Sequence, residues 1–179
     1  MMPNPPEIIP SIASQIGVTT GEVEEFLELS KELEILYRGI RRPEDIPSIE
    51  SGGIKPKPLT PEGKCSFWTT GLRTFVNRTR KCEGMATLDT PWFDYGVAAM
   101  VLTDRKSVQR YGNIEWRESD EIRIPFTVPR EAITIAKYRP GCNSRESRRP
   151  EECRMLRTLL NYLRNYTNGI IIPAMSYVE

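Results

Sequence analysis

The chain of 179 residues contains no histidine, and this absence excludes several kinds of site at once. Serine-histidine-aspartate triads, cysteine-histidine pairs and histidine-ligated zinc sites all require an imidazole. The side chains that remain able to move a proton are carboxylates, lysine, tyrosine and cysteine. Any catalysis by this protein must therefore use these groups.

Close cysteine pairs are also missing, since none of the four cysteines belongs to a C-x-x-C pair. An all-cysteine zinc site normally draws on two such pairs, so we expect no bound metal. The separations of 17 and 11 residues permit two disulfides, Cys65–Cys82 and Cys142–Cys153. Four ordinary thiols are an equal alternative, because disulfides are unusual in the cytosol outside hyperthermophiles.

Long apolar runs are lacking as well. The most apolar stretches, residues 96–102 and 169–174, are far too short to span a bilayer, and the first ten residues do not resemble a signal peptide. Neither G-x-G-x-x-G nor G-x-x-x-x-G-K-[ST] occurs, so a Rossmann or P-loop nucleotide site has no support. With 39% hydrophobic and 27% charged residues, the composition is globular, and we expect a cytoplasmic protein.

Charge is distributed unevenly along the chain. Residues 1–34 contain seven acidic side chains and one basic one, whereas residues 136–164 contain eight basic and three acidic ones. A basic stretch of this kind is able to bind an anionic partner such as nucleic acid, and equally to form salt bridges along a helix. The sequence leaves both interpretations open.

Hydrophobic periodicity predicts a mixture of helices and short strands. Residues 6–34 are expected to form two helices, with Thr20 as the N-cap of the second, and we assign residues 1–34 to a helical cap. Residues 35–179 would form the main domain. Its predicted strands are 35–40, 65–69, 97–103, 121–128, 132–138 and 169–173, and its predicted helices are 43–51, 71–81 and 150–166. Because strands and helices do not alternate regularly, the pattern indicates an α+β fold.

Polar residues stand at the ends of three predicted strands. Arg38 precedes Gly39 at the end of the first strand, which would place a bidentate anion donor beside an accessible backbone. Thr69 and Thr70 end an aromatic strand, and Glu121 begins a later one. Taken singly, each feature is equally typical of a polar turn at the protein surface. Taken together, the three features predict that Arg38, Thr69 and Glu121 converge on one cleft.

In this order, the motifs resemble the R-S-E branch of the ADP-ribosyltransferase superfamily, including toxin-like and DNA-modifying members. That family carries an arginine on its first core strand, Ser-Thr-Ser on its second and a catalytic glutamate at the start of a later strand. Arg38 and Glu121 match the first and third elements. Thr69, Thr70 and Gly71 occupy the second, with threonine and glycine in place of the two serines. The resemblance covers residues 36–173 and implies a split β-sheet core.

The resemblance further implies that the protein binds NAD as a substrate. The residues implied to bind it are Arg38, Gly39, Trp68, Thr69, Thr70 and Tyr95. Arg38 would pair with a phosphate, and Trp68 and Tyr95 are candidates for an aromatic wall beside the nicotinamide ring. Glu121 would be the catalytic residue, which bonds the nicotinamide ribose and stabilises the positively charged sugar as nicotinamide leaves.

The acceptor of the ADP-ribose is not defined by these motifs. Protein-modifying members have Gln or Glu two residues before the catalytic glutamate, where this chain has Ser119. This departure puts an arginine or asparagine acceptor in doubt and leaves nucleic acid, another protein side chain or water. An NAD glycohydrolase of the same fold is therefore one alternative. Another is a non-catalytic nucleic-acid-binding protein that uses residues 136–164.

Overall fold

The computed structural model describes residues 5–60, 63–70, 76–78, 88–91, 98–118, 121–138, 145–166 and 175–177. This part of the chain combines helices with a mainly antiparallel sheet, which confirms the predicted α+β class. None of the helices within these ranges is long and apolar enough to cross a membrane.

The chain opens with two helices, as the hydrophobic spacing predicts. Helix α1 spans Pro5–Ile16 and helix α2 spans Thr20–Glu32. The N-cap of α2 is Thr19 rather than the predicted Thr20. Its hydroxyl accepts a hydrogen bond from the Glu22 amide, and the Glu22 carboxylate accepts one from the Thr19 amide. This capping box satisfies backbone donors that the start of a helix leaves open.

The main sheet is built around strand β1, Ile35–Ile40. The other strands are β2 (Lys57–Thr60), β3 (Gly63–Thr69), β4 (Val76–Arg78), β5 (Leu88–Pro91), β6 (Ala99–Asp104), β7 (Glu115–Glu118), β8 (Glu121–Ile124), β9 (Thr134–Lys137) and β10 (Met175–Tyr177). The strand order is β10-β9-β6-β1-β3-β8-β7, with β2 added to β3, while β4 and β5 form a separate pair. Neighbouring strands run antiparallel, except that β9 and β10 are parallel.

Further helices connect and cover the strands. They are α3 (Ile46–Gly52), which follows a 3-10 turn at Pro43–Asp45, α4 (Arg105–Gln109) and α5 (Arg145–Arg164). Helix α5 begins before the predicted start at Pro150, because the arginines and glutamate that precede this proline are favourable helix residues. Strand β8 ends at Ile124 rather than at the predicted Val128, since Pro125 has no amide to donate to a ladder.

The expected helix at residues 71–81 is wrong where the structure describes it. Val76–Arg78 forms strand β4 and pairs with β5, so strand pairing overrides the local helical spacing. The strand expected at residues 169–173 lies outside the described residues.

Buried side chains cover both faces of the main sheet. On the helical face, α1, α2 and α5 pack over β1, β6 and β9 in a cluster that includes Phe26, Tyr37, Leu102, Leu156 and Leu160. The opposite, cleft face carries a second cluster that includes Leu36, Trp68, Val101, Ile122 and Val128. Successive residues of a strand point to opposite faces, so neighbours such as Leu36 and Tyr37 belong to different clusters. Helices α1 and α2 therefore share one core with the sheet.

Candidate functional site

Strand β1 is paired very unequally on its two edges. Along one edge it forms six consecutive residue pairs with β6. Along the other edge it meets β3 at one pair, Tyr37 with Thr69. Beyond this pair the two strands no longer form a ladder. We refer to the opening between them, next to Arg38 and Gly39, as the fork.

Gly39 and Phe67 are the residues that an unbroken ladder would pair next. In an antiparallel sheet, the backbone groups of successive residues point alternately to the two neighbouring strands. The carbonyl groups of Glu34 and Ile40 accept hydrogen bonds from the side of β6. By this alternation the amide and carbonyl of Gly39 point into the fork, where the register with β3 gives them no ladder partner. Gly39 thus presents one donor and one acceptor there.

Arg38 places its charged end in the fork. Its Nη1 donates to the carbonyl oxygen of Phe67 over 2.9 Å, the oxygen that Gly39 would bond in a continuous ladder. Its Nε is buried and has no hydrogen-bond partner in the described part of the chain. Burial lowers the pKa of Arg38, while the nearby Cys65 acts in the opposite direction. Because arginine is effectively always protonated, the fork contains a half-buried cation. Its Nε remains available to donate a further hydrogen bond.

Glu121 lies on β8, on the far side of β3 from the fork. Register pairs join Thr69 with Glu121 and Phe67 with Arg123, so these four side chains share one face of the sheet. Glu121 Oε1 lies 3.5 Å from Arg123 Nε, and the two side chains are 23% and 21% exposed. The Arg123 guanidinium lies over the Phe67 ring, 5.1 Å from its centroid. Two charges, a hydroxyl and an aromatic ring are thereby grouped at a partly open surface.

The expectation that Arg38, Thr69 and Glu121 converge on one cleft is wrong. Tyr37, Thr69 and Glu121 stand level on three neighbouring strands, whereas Arg38 leaves the sheet on the opposite face, together with Trp68. The guanidinium of Arg38 nevertheless lies near the plane of the sheet, because it bonds a backbone carbonyl at the edge of β3.

A cleft of about 240 Å³ opens beside Arg38 on the cleft face. Lys55 and Lys57 line it together with Arg38, and Asp45 is the acidic residue among the described lining residues. Three positive charges against one negative charge favour an anionic ligand. Glu121 is not among the described residues that line this cleft.

Gly53 fixes the wall of the cleft at the end of α3. Its φ of 75° is unfavourable for other residues, and a Cβ atom there would collide with the carbonyl oxygen of Val128. The next residue, Ile54, exchanges two backbone hydrogen bonds of 2.8 Å with Val128. Lys137 on β9 also reaches Glu50 on α3, at 3.4 Å. These contacts hold α3 at a fixed distance from the sheet.

The aromatic wall proposed for Trp68 is wrong. Trp68 is fully buried in the cleft-face core, where its Nε1 donates to Ser66 Oγ over 2.9 Å, so it has no surface to offer a ligand. Phe67, the neighbouring aromatic residue, lies on the face of Glu121 because strand alternation turns it the other way. Thr70 is half-buried directly after β3. Tyr95 lies outside the described residues.

Sequence reasoning missed Gly53, Lys55 and Lys57 as parts of a cleft. The signal that could have found them is the segment from Gly52 to Lys57, in which basic residues alternate after a pair of glycines. Alternation in a short extended segment places both lysines on the same side. The pairing of Arg123 with Phe67 had no such signal, because it depends on the register between β3 and β8.

Part of the basic stretch at residues 136–164 is used inside the fold. Arg164 on α5 forms two hydrogen bonds of 2.6 and 2.7 Å with the Glu25 carboxylate on α2, and these bonds lower the pKa of Glu25. Arg157 lies 3.5 Å from Glu22 on the same helix. The acidic and the basic helix therefore partly neutralise each other, which favours the salt-bridge interpretation for these arginines.

The disulfides stay a prediction. Cys65 is buried in β3, and Cys153 is half-buried in α5, where its thiol donates to the carbonyl oxygen of Gly17 at 3.6 Å. The partners expected for them, Cys82 and Cys142, lie outside the described residues.

Comparison with known proteins identifies no relative of this chain. No protein-family model matches it, and neither does any curated protein or solved structure. Its function therefore has to be argued from the chemistry of the site itself.

Proposed function

We propose that this protein binds NAD across the fork and transfers its ADP-ribose to a macromolecular acceptor, with release of nicotinamide. The observation that carries the proposal is the position of the fork. The sheet opens beside Arg38 and Gly39, and Glu121 is held on the other side of the intervening strand β3. This arrangement supports the split-sheet core that the resemblance to ADP-ribosyltransferases implies. It also brings a cationic cleft, the backbone of Gly39 and a carboxylate into sequence along one path.

The diphosphate of NAD would lie at the mouth of the cationic cleft. Arg38, Lys55 and Lys57 bring three positive charges to this cleft. Hydrogen bonds between such cations and phosphate oxygens are shorter and stronger than neutral ones. The apolar side chains of Ile49 and Ile54, which also line the cleft, would face the adenosine.

The carboxamide of nicotinamide would bind to Gly39 in the fork. A primary amide offers one acceptor oxygen and an NH₂ donor, and it complements a backbone position that offers one amide and one carbonyl. Glycine suits this position, because a residue without Cβ lets a ligand approach the backbone closely. From there the ribose would extend towards the face that carries Thr69 and Glu121.

Glu121 would act on the nicotinamide ribose. The bond between C1′ and the ring nitrogen breaks, its electron pair moves to that nitrogen, and nicotinamide leaves as a neutral molecule. The sugar becomes a positively charged, oxocarbenium-like species, which a fixed carboxylate stabilises. A nucleophile of the acceptor then bonds C1′ and loses a proton. With water as the acceptor, the same steps describe an NAD glycohydrolase.

The Glu121→Gln variant tests this proposal. Glutamine keeps the volume and one hydrogen-bonding oxygen but loses the negative charge, so nicotinamide release should fall by about 10²–10³-fold. The thermal midpoint should change little, because Glu121 begins a strand at a partly exposed surface. Nicotinamide release from NAD is followed by chromatography for the wild type and for this variant. The exposed Glu131, changed to glutamine, is the matched control.

The proposal is wrong if the wild type releases no nicotinamide and Glu121→Gln alters only stability. Where release occurs, incubation with NAD labelled in its adenylate phosphate, in the presence of single-stranded DNA, RNA or protein, identifies the acceptor. Free ADP-ribose as the sole labelled product indicates the glycohydrolase. Nucleic-acid binding that weakens steeply with salt, without any NAD cleavage, indicates the non-catalytic alternative.

A further inference from the structure

We infer that Arg123 is a positioning residue, which sets the orientation of the Glu121 carboxylate and is itself held by the ring of Phe67. The inference rests on the proposed function, since it assigns Arg123 a part in NAD cleavage. It concerns a contact that none of the sequence motifs includes. Arg123 touches Glu121 rather than the substrate, so its effect is expected to act through that carboxylate.

The first observation is the direction of the contact. Arg123 Nε faces Glu121 Oε1 at 3.5 Å, and the two residues are separated by one position on the same face of β8. Of the two carboxylate oxygens of Glu121, Oε1 is the one that faces Arg123 Nε. Arg123 therefore lies beside the carboxylate as an ion-pair partner, from where it would turn Oε2 towards a ribose hydroxyl.

The second observation is that Arg123 is itself fixed. Its guanidinium lies 5.1 Å from the centroid of the Phe67 ring, and Phe67 is its register partner on β3. A guanidinium over an aromatic face is attracted by the ring electrons as well as packed against them. The Arg123 side chain is 21% exposed, so most of it is enclosed by its neighbours. An anchored cation of this kind is able to orient a carboxylate that would otherwise occupy several rotamers.

The ion pair has two opposite consequences for the reaction. Orientation favours catalysis, because a charge that is fixed beforehand needs no reorganisation when positive charge develops on the sugar. Neutralisation opposes catalysis, because a guanidinium beside the carboxylate offsets part of its negative charge. The two effects therefore predict opposite results when Arg123 is removed. Loss of the orientation would lower kcat, whereas loss of the neutralisation would raise it.

Arg123→Met, Arg123→Lys and Phe67→Leu separate these effects. We expect Arg123→Met to lower kcat for nicotinamide release on the order of 10- to 100-fold. KM and the dissociation constant of NAD, measured by calorimetry, should stay at wild-type values, since the cationic cleft is unchanged. Added guanidinium ion, at concentrations that leave the fold intact, should partly restore the activity of Arg123→Met. Phe67→Leu, which keeps Arg123 but removes its support, should show a smaller loss of kcat.

The kcat values of these variants support or overturn the positioning role of Arg123. The exposed Arg110, changed to methionine, is the control for loss of an arginine, and thermal midpoints check the fold of every variant. A wild type that cleaves NAD, with Glu121→Gln inactive and Arg123→Met as fast as the wild type or faster, overturns the inference and leaves the proposed function standing. A wild type without NAD cleavage overturns both. Should Arg123→Met fail to fold, unchanged kcat in both Arg123→Lys and Phe67→Leu overturns the inference equally.

Discussion

The two edges of strand β1 differ in how completely their hydrogen bonds are used. Towards β6, six consecutive pairs join the strands, and the side chains above them are packed by helices. Towards β3, one pair holds the strands together before the fork begins. Both edges belong to the same six residues, so the difference arises from the neighbouring strands and not from the β-forming tendency of β1.

The hydrogen-bonding groups of β1 that lack a ladder partner lie on its β3 side. On the helical face the buried hydroxyls of Ser30 and Tyr37 bond each other over 2.7 Å. One residue further along, Arg38 has a buried Nε without a partner in the described chain, and Gly39 faces an opening. Proteins rarely leave such groups unpaired, so each exception calls for an explanation, such as a catalytic role or a bound ion. We therefore expect the closed β6 side of β1 to serve stability and the open β3 side to serve ligand binding.

The largest effect is expected for Gly53→Ala. The added Cβ would collide with the Val128 carbonyl oxygen at a backbone φ of 75°, and it would lie 2.9 Å from the Arg130 amide nitrogen. Because these neighbours are backbone atoms, α3 must move away from the sheet. We expect the free energy of unfolding, measured by urea denaturation, to fall by about 3 kcal/mol.

Gly21→Ala is the matched control for this substitution. Gly21 lies in α2, and the nearest atom to its added Cβ is the Thr19 hydroxyl oxygen at 3.9 Å. Alanine in an unobstructed helical position should be neutral or stabilising by less than about 1 kcal/mol. Equal stability of the two variants would show that α3 is not held rigidly and that the cleft has no fixed wall.

The next effect concerns the open edge, through Arg38→Met. Loss of a charge-assisted contact to phosphate should weaken NAD binding by about 1.5–3 kcal/mol, which corresponds to a 10- to 100-fold higher dissociation constant. The contact exists before and during the reaction alike, so kcat should change less than KM. Calorimetry and steady-state kinetics measure these quantities, with exposed Arg41→Met as the control. Unchanged NAD affinity with lower stability would mean that Arg38 serves only to cap the Phe67 carbonyl.

The sequence predicts local structure well where hydrophobic spacing decides it. The alternation in β1 and the spacing in α1 and α2 identify these elements, because each buries one regular set of side chains. The same reasoning fails for residues 76–78, where pairing with β5 decides the conformation. It also fails for Trp68, since aromatic residues at positions 67 and 68 look alike until the register assigns one to the core.

The candidate site is predicted in part for the same reason. Arg38, Thr69 and Glu121 do lie on three neighbouring strands, as their order in the motif suggests. Which face each side chain uses depends on register, and a shift of one residue reverses it. The fork itself arises from the divergence of β1 and β3, which no residue type near Gly39 encodes. Contacts such as Arg123 with Phe67 therefore become visible only in three dimensions.

The smallest effect is expected on the closed side, for Tyr37→Phe. The substitution removes the hydroxyl that bonds Ser30, while the ring keeps its packing against Phe26, whose centroid lies 5.6 Å away. Inside a helix the Ser30 hydroxyl is able to bond a carbonyl of the preceding turn instead. The variant should therefore lose only about 1 kcal/mol of stability at neutral pH. NAD affinity should not change, because this side chain points away from the fork.

The pH dependence of the stability of Tyr37→Phe tests how completely the Tyr37 hydroxyl is buried on the helical side of β1. Burial raises the pKa of Tyr37 far above its ordinary value of 10.0, and the hydrogen bond from Ser30 only partly opposes this. In the unfolded chain tyrosine ionises near pH 10, so above that pH the unfolded state binds fewer protons than the folded state. Wild-type stability should consequently fall by up to about 1.4 kcal/mol per pH unit above pH 10 because of this one group.

Tyr37→Phe lacks this contribution, so its deficit in the free energy of unfolding relative to the wild type should shrink as the pH rises from 9 to 11 in urea titrations. A constant deficit across this range would show that the Tyr37 hydroxyl ionises freely in the folded protein, and the helical side of β1 would then be as open as the fork.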